Sequence, residues 1–133
     1  MPLVGTTTDG PISRKRIADY VAAAESFTAV PLADTAATLT VAQVVTSKLF
    51  TIAASANRAL TTPTGAELGA AVTDEVVGTS FEFTVVNTGA STATLTAGAT
   101  GVTVVGNAVV AATSSGTFLG VFTAANTVSI YRK

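Results

Sequence analysis

Paired carboxylates are the one catalytic arrangement this sequence could hold, and Glu67, Asp74, Glu75 and Glu82 are the candidates among its eight acidic residues. Two such groups flanking a glycosidic bond can cleave it, one donating a proton and the other attacking or activating water. Asp74 and Glu75 are adjacent, so on a strand they would point to opposite faces. No spacing selects one pair over another. Catalysis of the Ser-His or Cys-His kind is excluded, because the chain has no histidine and no cysteine. The same absence removes a zinc site and any disulfide framework. Calcium needs clustered oxygen ligands, and the acidic residues are scattered along the chain. The expectation is a protein that is not an enzyme and has no cofactor and no metal.

The other charged feature is the triplet Arg14, Lys15 and Arg16, with Arg132 and Lys133 at the far end of the chain. Basic residues can mark a nucleic-acid surface. Here the isoelectric point is about 5.1, and neither a basic stripe nor interleaved aromatics accompany the triplet. No nucleic acid is expected. The triplet does sit at the start of a predicted helix, where positive charge opposes the macrodipole at a cost of roughly 0.3–1 kcal/mol each. Asp19, three or four residues beyond Arg16 and Lys15, offsets part of that. Arg14, Lys15 and Arg16 are therefore candidates for contact with an acidic partner surface.

The elements that must carry these residues are mostly strands. Residues 1–10 read as an extended arm. Over residues 12–27, Ile17, Tyr20, Val21, Ala24 and Phe27 recur at helical spacing, between Pro11 and Pro31. Thr40 with Gln43, and Thr64 with Glu67, fit capping boxes and predict short helices over residues 41–46 and 65–72. Strands are predicted over 49–53 and 58–61. From Ser80 onward alternation dominates: Phe81, Phe83 and Val85 share one face and Glu82 and Thr84 the other. Gly106-Asn107 predicts a tight hairpin between strands at 102–105 and 108–111. Residues 114–116 predict a turn into a strand over 117–123, where Phe118 and Phe122 share a face, and the last strand is 127–131. No internal repeat suggests a solenoid. Short strands with frequent turns predict one all-β domain, a sandwich or barrel, over residues 38–133, preceded by an arm and short helix over 1–37.

Composition points to association. Charged residues make up 11% of the chain, against about 25% in ordinary soluble domains. Residues 83–131 contain no lysine, arginine or carboxylate, and the net charge is −1. Such a surface favours self-association, so a homo-oligomer is expected, a homotrimer ahead of a homodimer. No signal peptide is read at the N-terminus. Gly, Asn, Ser and Thr break every apolar run well short of about 20 residues, so no membrane partner is expected.

The segments TLTVAQVV, RALTTPTGAEL, GTSFEFTVVNTG, GVTVVGN and VVAATSSGTF, in that order, resemble a set of small structural proteins of tailed bacteriophages. The series occupies most of the chain after residue 37. Proteins of this kind are capsid cement, or decoration, proteins. The resemblance implies a jelly-roll-like sandwich bound to the major capsid protein on the outside of the virion, with no catalytic motif. Head-fibre and tail-fibre or knob domains are the nearest alternative, although no repeat or coiled-coil stalk is present. A carbohydrate-binding or adhesion module is a further alternative, disfavoured because tryptophan is absent and only Tyr20 and Tyr131 are tyrosines.

Overall fold

A computed structural model of the chain describes residues 28–72 and 75–133. It is mostly β, with two sheets and two short helices among the described residues. The larger sheet contains β1 (Val30–Pro31), β3 (Leu49–Ile52), β5 (Ser80–Asn87), β9 (Ser114–Ala124), β10 (Thr127–Arg132) and β7 (Val102–Val105), in that spatial order. The smaller contains β2 (Ala37–Thr38), β4 (Arg58–Thr61), β6 (Ala93–Thr96) and β8 (Val109–Val110). The predicted helix and arm over residues 1–27 lie outside the described residues. β1 and Ala37 are sheet members, so the β structure begins before residue 38.

The chain alternates between the sheets from β1 to β6, and each return adds a strand parallel to the previous one. Val30 aligns with Phe50 and Phe50 with Val85 in one sheet; Ala37 aligns with Leu60 and Leu60 with Leu95 in the other. This is a coil, each circuit carrying one strand per sheet. Antiparallel strands then complete it: β9 pairs with β5 and β10, and β8 with β6. β7 joins β10 in parallel. Five of the eight pairings are parallel. A jelly roll is built from antiparallel Greek keys, so the sheets are mixed and share only the two-sheeted layering with the expected fold.

Two local expectations are corrected. Gly106 and Asn107 do not close a hairpin, because β7 and β8 lie in different sheets. Gly106, at φ 84°, instead makes a corner by which the chain leaves one sheet for the other. Residues 114–116 are not a turn; they are the first residues of β9 and pair with Asn87, Val86 and Val85. The turn comes just before, where Thr113 takes φ 50°.

Both capping boxes form. Thr40 N–H donates to Gln43 Oε1 at 2.7 Å and Gln43 N–H to Thr40 Oγ1 at 3.2 Å. The helix that follows, Ala42–Ser47, is a π-helix closed by Lys48 in the left-handed region, whose N–H donates to Gln43 O at 2.8 Å. Thr64 and Glu67 exchange bonds of 2.8 and 3.3 Å at the start of α1 (Gly65–Ala71). The two boxes occupy equivalent corners of successive circuits, each leading from the smaller sheet back to the larger.

The core fills the space between the sheets. Phe81, Phe83, Val85 and Asn87 point inward from β5, and Gly116, Phe118, Gly120 and Phe122 from β9. Small residues alternate with rings because Phe81 lies opposite Gly120, where a Cβ would stand 2.3 Å from Phe81 Cζ. Leu60, Ala93, Leu95 and Val110 face them from the smaller sheet, with Leu39, Val44 and Leu68 sealing the corners. The shared faces predicted for Phe81 with Phe83 and for Phe118 with Phe122 hold, and all four rings are buried.

Candidate interaction surface

Each of the four described acidic side chains is engaged by a different partner. Glu67 caps α1, and the bonds from the Thr64 N–H and hydroxyl hold its carboxyl below the usual range. Glu75 Oε1 accepts from the Asn126 N–H at 3.1 Å. Glu82 pairs with Lys133 at 2.7 Å on the outer face of the larger sheet. Asp34 is shared between Ser55 and Arg58. Asp74 lies outside the described residues. Among the described residues no group of three or more potential ligands could hold a metal ion, and no helix is long and apolar enough to cross a membrane.

Arg14, Lys15 and Arg16 also lie outside the described residues. The basic residues at the other end are committed to structure: Arg132 donates to the carbonyls of Val109 and Ser115 and stands 5.9 Å from the centre of the Phe118 ring. Lys133 is neutralised by Glu82.

What the fold does assemble is a broad, charge-poor outer face on the larger sheet. Its rows follow from register. Glu82, Leu119, Tyr131 and Val105 lie in one line across β5, β9, β10 and β7, and Ser80, Val121, Ser129 and Thr103 in the next. Thr84 and Thr117 form a third, their hydroxyls 3.0 Å apart. Glu82 is the one charged residue in these rows. Tyr131 and Val105 are 41% and 42% exposed, and Val109 on the adjoining edge 38%. A shallow hydroxyl-lined depression of about 460 Å³ lies at the end of the face, walled by Val86, Asn87, Thr88, Thr113, Ser114 and Ser115. It contains no ionisable group and no ring, so it offers hydrogen bonds and no reactive chemistry.

Comparison of the chain with protein families, with curated proteins and with solved structures finds no match.

One polar cluster escaped sequence reasoning. Asp34 Oδ1 accepts from Arg58 Nε at 2.8 Å and from the Ser55 N–H at 3.2 Å, and Oδ2 from the Ser55 hydroxyl. It ties the β1–β2 connection to the β3–β4 connection, across separations no local pattern reveals. The Arg58 side chain, followed by the Ser55 hydroxyl and N–H, holds the Asp34 carboxyl far below its ordinary value of 3.8. A depressed carboxylate stabilises the fold above its unfolded value and loses that contribution as pH falls through the folded one. Asp34→Asn is therefore expected to melt below the wild type at pH 7, and the gap should shrink steadily below about pH 4. Melting curves from pH 2 to 7 check this; a gap that widened on acidification would contradict the assignment.

Proposed function

We propose that the protein is a structural virion component that decorates the outer surface of a phage capsid by binding the major capsid protein lattice. The observation that carries this reading is the charge-poor outer face of the larger sheet, supplied largely by residues 83–131. A free surface of about that composition associates readily, and on a lattice many weak contacts of one kind add up through multivalency. The resemblance of the five segments to cement proteins supports the same reading. Two packed sheets suit a compact decorating domain, whatever the strand order within them. The protein acts without catalysis or cofactor, as a homo-oligomer, a homotrimer ahead of a homodimer.

In this reading residues 1–10 are an anchoring arm, and Arg14, Lys15 and Arg16 meet acidic residues of a neighbouring capsid or decoration subunit. Ten extended residues reach about 33–36 Å, enough to cross onto a neighbour. A map of purified particles should place the chain on the head lattice. Deletion of residues 1–10, and separately R14A/K15A/R16A, should weaken capsid binding while leaving the melting of the isolated protein nearly unchanged. Density on the tail would overturn the decoration role. Unaltered binding in both variants would overturn the anchoring role.

A further inference from the structure

Among the described residues the sheets end in four edge strands, β1 and β7 in the larger and β2 and β8 in the smaller. An exposed edge invites another chain, and proteins blunt edges by shortness, proline, charge or a bulge. β1, β2 and β8 have two residues each, and β1 contains Pro31. β7 has four, Val102-Thr103-Val104-Val105, with no proline and no charge. All four are β-branched, the side chains that suit extended backbone best. β7 also stands at the opposite edge from β1, five strand spacings or about 24 Å away.

The ladder to β10 fixes which backbone groups this edge offers. Val128 aligns with Val102, and Val128 N–H donates to Gly101 O at 2.8 Å. In a parallel pair that phase turns the N–H and C=O of Thr103 toward β10, and those of Val102 and Val104 away from it. No described residue bonds the four outward groups. The side chains of Val102 and Val104 pack against the core, whereas Thr103 and Val105 are exposed on the outer face. Val105 and its row neighbour Tyr131, both about two-fifths exposed, bring apolar surface to the same edge.

We propose that β7 pairs antiparallel with β7 of a second copy, about a two-fold axis at Thr103. In that register Val102 exchanges both of its hydrogen bonds with the partner's Val104, and Val104 with the partner's Val102. All the outward groups of both copies are then satisfied within β7. A slip of two residues would leave half of them without a partner in the strand, and a slip of one would turn the exposed residues inward. Side chains permit the pairing as well: Val105 falls opposite the partner's Gly101, which has no side chain, and neither strand carries a charge. The row Val121, Ser129 and Thr103 runs on into its own image, so the charge-poor outer face doubles in width. The inference rests on the proposed self-association and not on the capsid role. It places the homodimer ahead of the homotrimer, because an isologous pair consumes the edge of each copy and closes at two.

Residue 103 would face itself across the axis, and that gives the test a signature. Sedimentation of the full chain should show a wild-type dimer, with the dissociation constant raised about tenfold or more in T103E and in T103K. An equimolar mixture of T103E and T103K should dimerise again, since unlike charges then meet at the axis. Thr103 is exposed, so far-UV circular dichroism of each variant should match the wild type. Because the chain has no cysteine, T103C offers a single thiol. It should oxidise to a covalent dimer, as opposed Cα atoms in a non-hydrogen-bonded pair stand about 4.5 Å apart, within disulfide reach. T123C, also exposed but two strands in from the edge, should not. A wild-type monomer at high micromolar concentration would overturn self-association and edge together. A dimer that both charged variants keep, or that their mixture fails to restore, would overturn the edge alone. A trimer, or T103C that stays uncross-linked under oxidation, would do the same.

Discussion

Phe83→Ala should lower the unfolding free energy by about 4 kcal/mol, within the roughly 3–5 kcal/mol range for a buried phenylalanine. Phe83 is 1% exposed and sits at the centre of the aromatic cluster. Its ring centre lies 5.5 Å from Phe118, 5.9 Å from Phe50 and 6.4 Å from Phe81. These neighbours belong to three strands fixed by their own ladders, so the wall cannot collapse into the space the ring vacates. Phe81→Ala should lie nearer 3 kcal/mol, because its ring rests on Gly120 and is 7% exposed. Denaturant midpoints with unchanged slopes measure both. A loss under about 1 kcal/mol at Phe83 would show that the ring does not fill the core. Phe83 and Phe118 are directly opposite across β5 and β9, so the double variant should depart from additivity by about 0.5–1.5 kcal/mol.

Asn87→Leu is expected to cost about 3 kcal/mol, although leucine branches at the same carbon and the site is buried. Asn87 is 1% exposed and closes the end of the core with hydrogen bonds rather than with packing. Its Nδ2 donates to Ser91 O at 2.6 Å, Ala111 O at 3.1 Å and Val110 O at 3.4 Å. Its Oδ1 accepts from the Gly89 N–H at 3.0 Å and the Ala54 N–H at 3.4 Å. One side chain thereby joins β5 to the connections after β3 and β8, and leucine would leave those backbone groups without this partner. Asn87→Asp should be worse at pH 7, since a buried carboxylate would face three carbonyl oxygens. Burial would raise the folded pKa of that carboxyl, so the variant should recover as pH falls and it takes up a proton. Denaturation of both variants from pH 4 to 7 is the check. A pH-independent gap between them would contradict the burial of this position.

Much of the local structure was legible because it is written in short-range patterns. Period-two alternation marked β5 and most of β9 and assigned their faces correctly, since a strand cannot turn one side chain inward without turning the next outward. Thr40 with Gln43 and Thr64 with Glu67 announced two helix starts, because a capping box is closed by residues three apart. The candidate surface was half legible. Its lack of charge is a property of composition, but that Leu119, Tyr131 and Val105 fall in one row depends on register across three strands. The Asp34–Ser55–Arg58 cluster and the hub at Asn87 left no trace, as each joins residues far apart in sequence.

The sequence by itself determined where most of the longer strands lie, which side of β5 and β9 is apolar, where two helices begin and how little charge the chain carries after residue 82. Only the tertiary structure decided which strands pair and in which direction. The Gly106-Asn107 corner shows why. A glycine with positive φ reverses or redirects a chain equally well, and the choice rests on whether β7 and β8 bury more apolar surface beside each other or beside β10 and β6. The coil was hidden for a related reason. Its circuits are matched in space by backbone hydrogen bonds, which are indifferent to side-chain identity, while the helix and loop inserted in each circuit differ in length. No period survives in the sequence, although the strands return to the same two sheets each time.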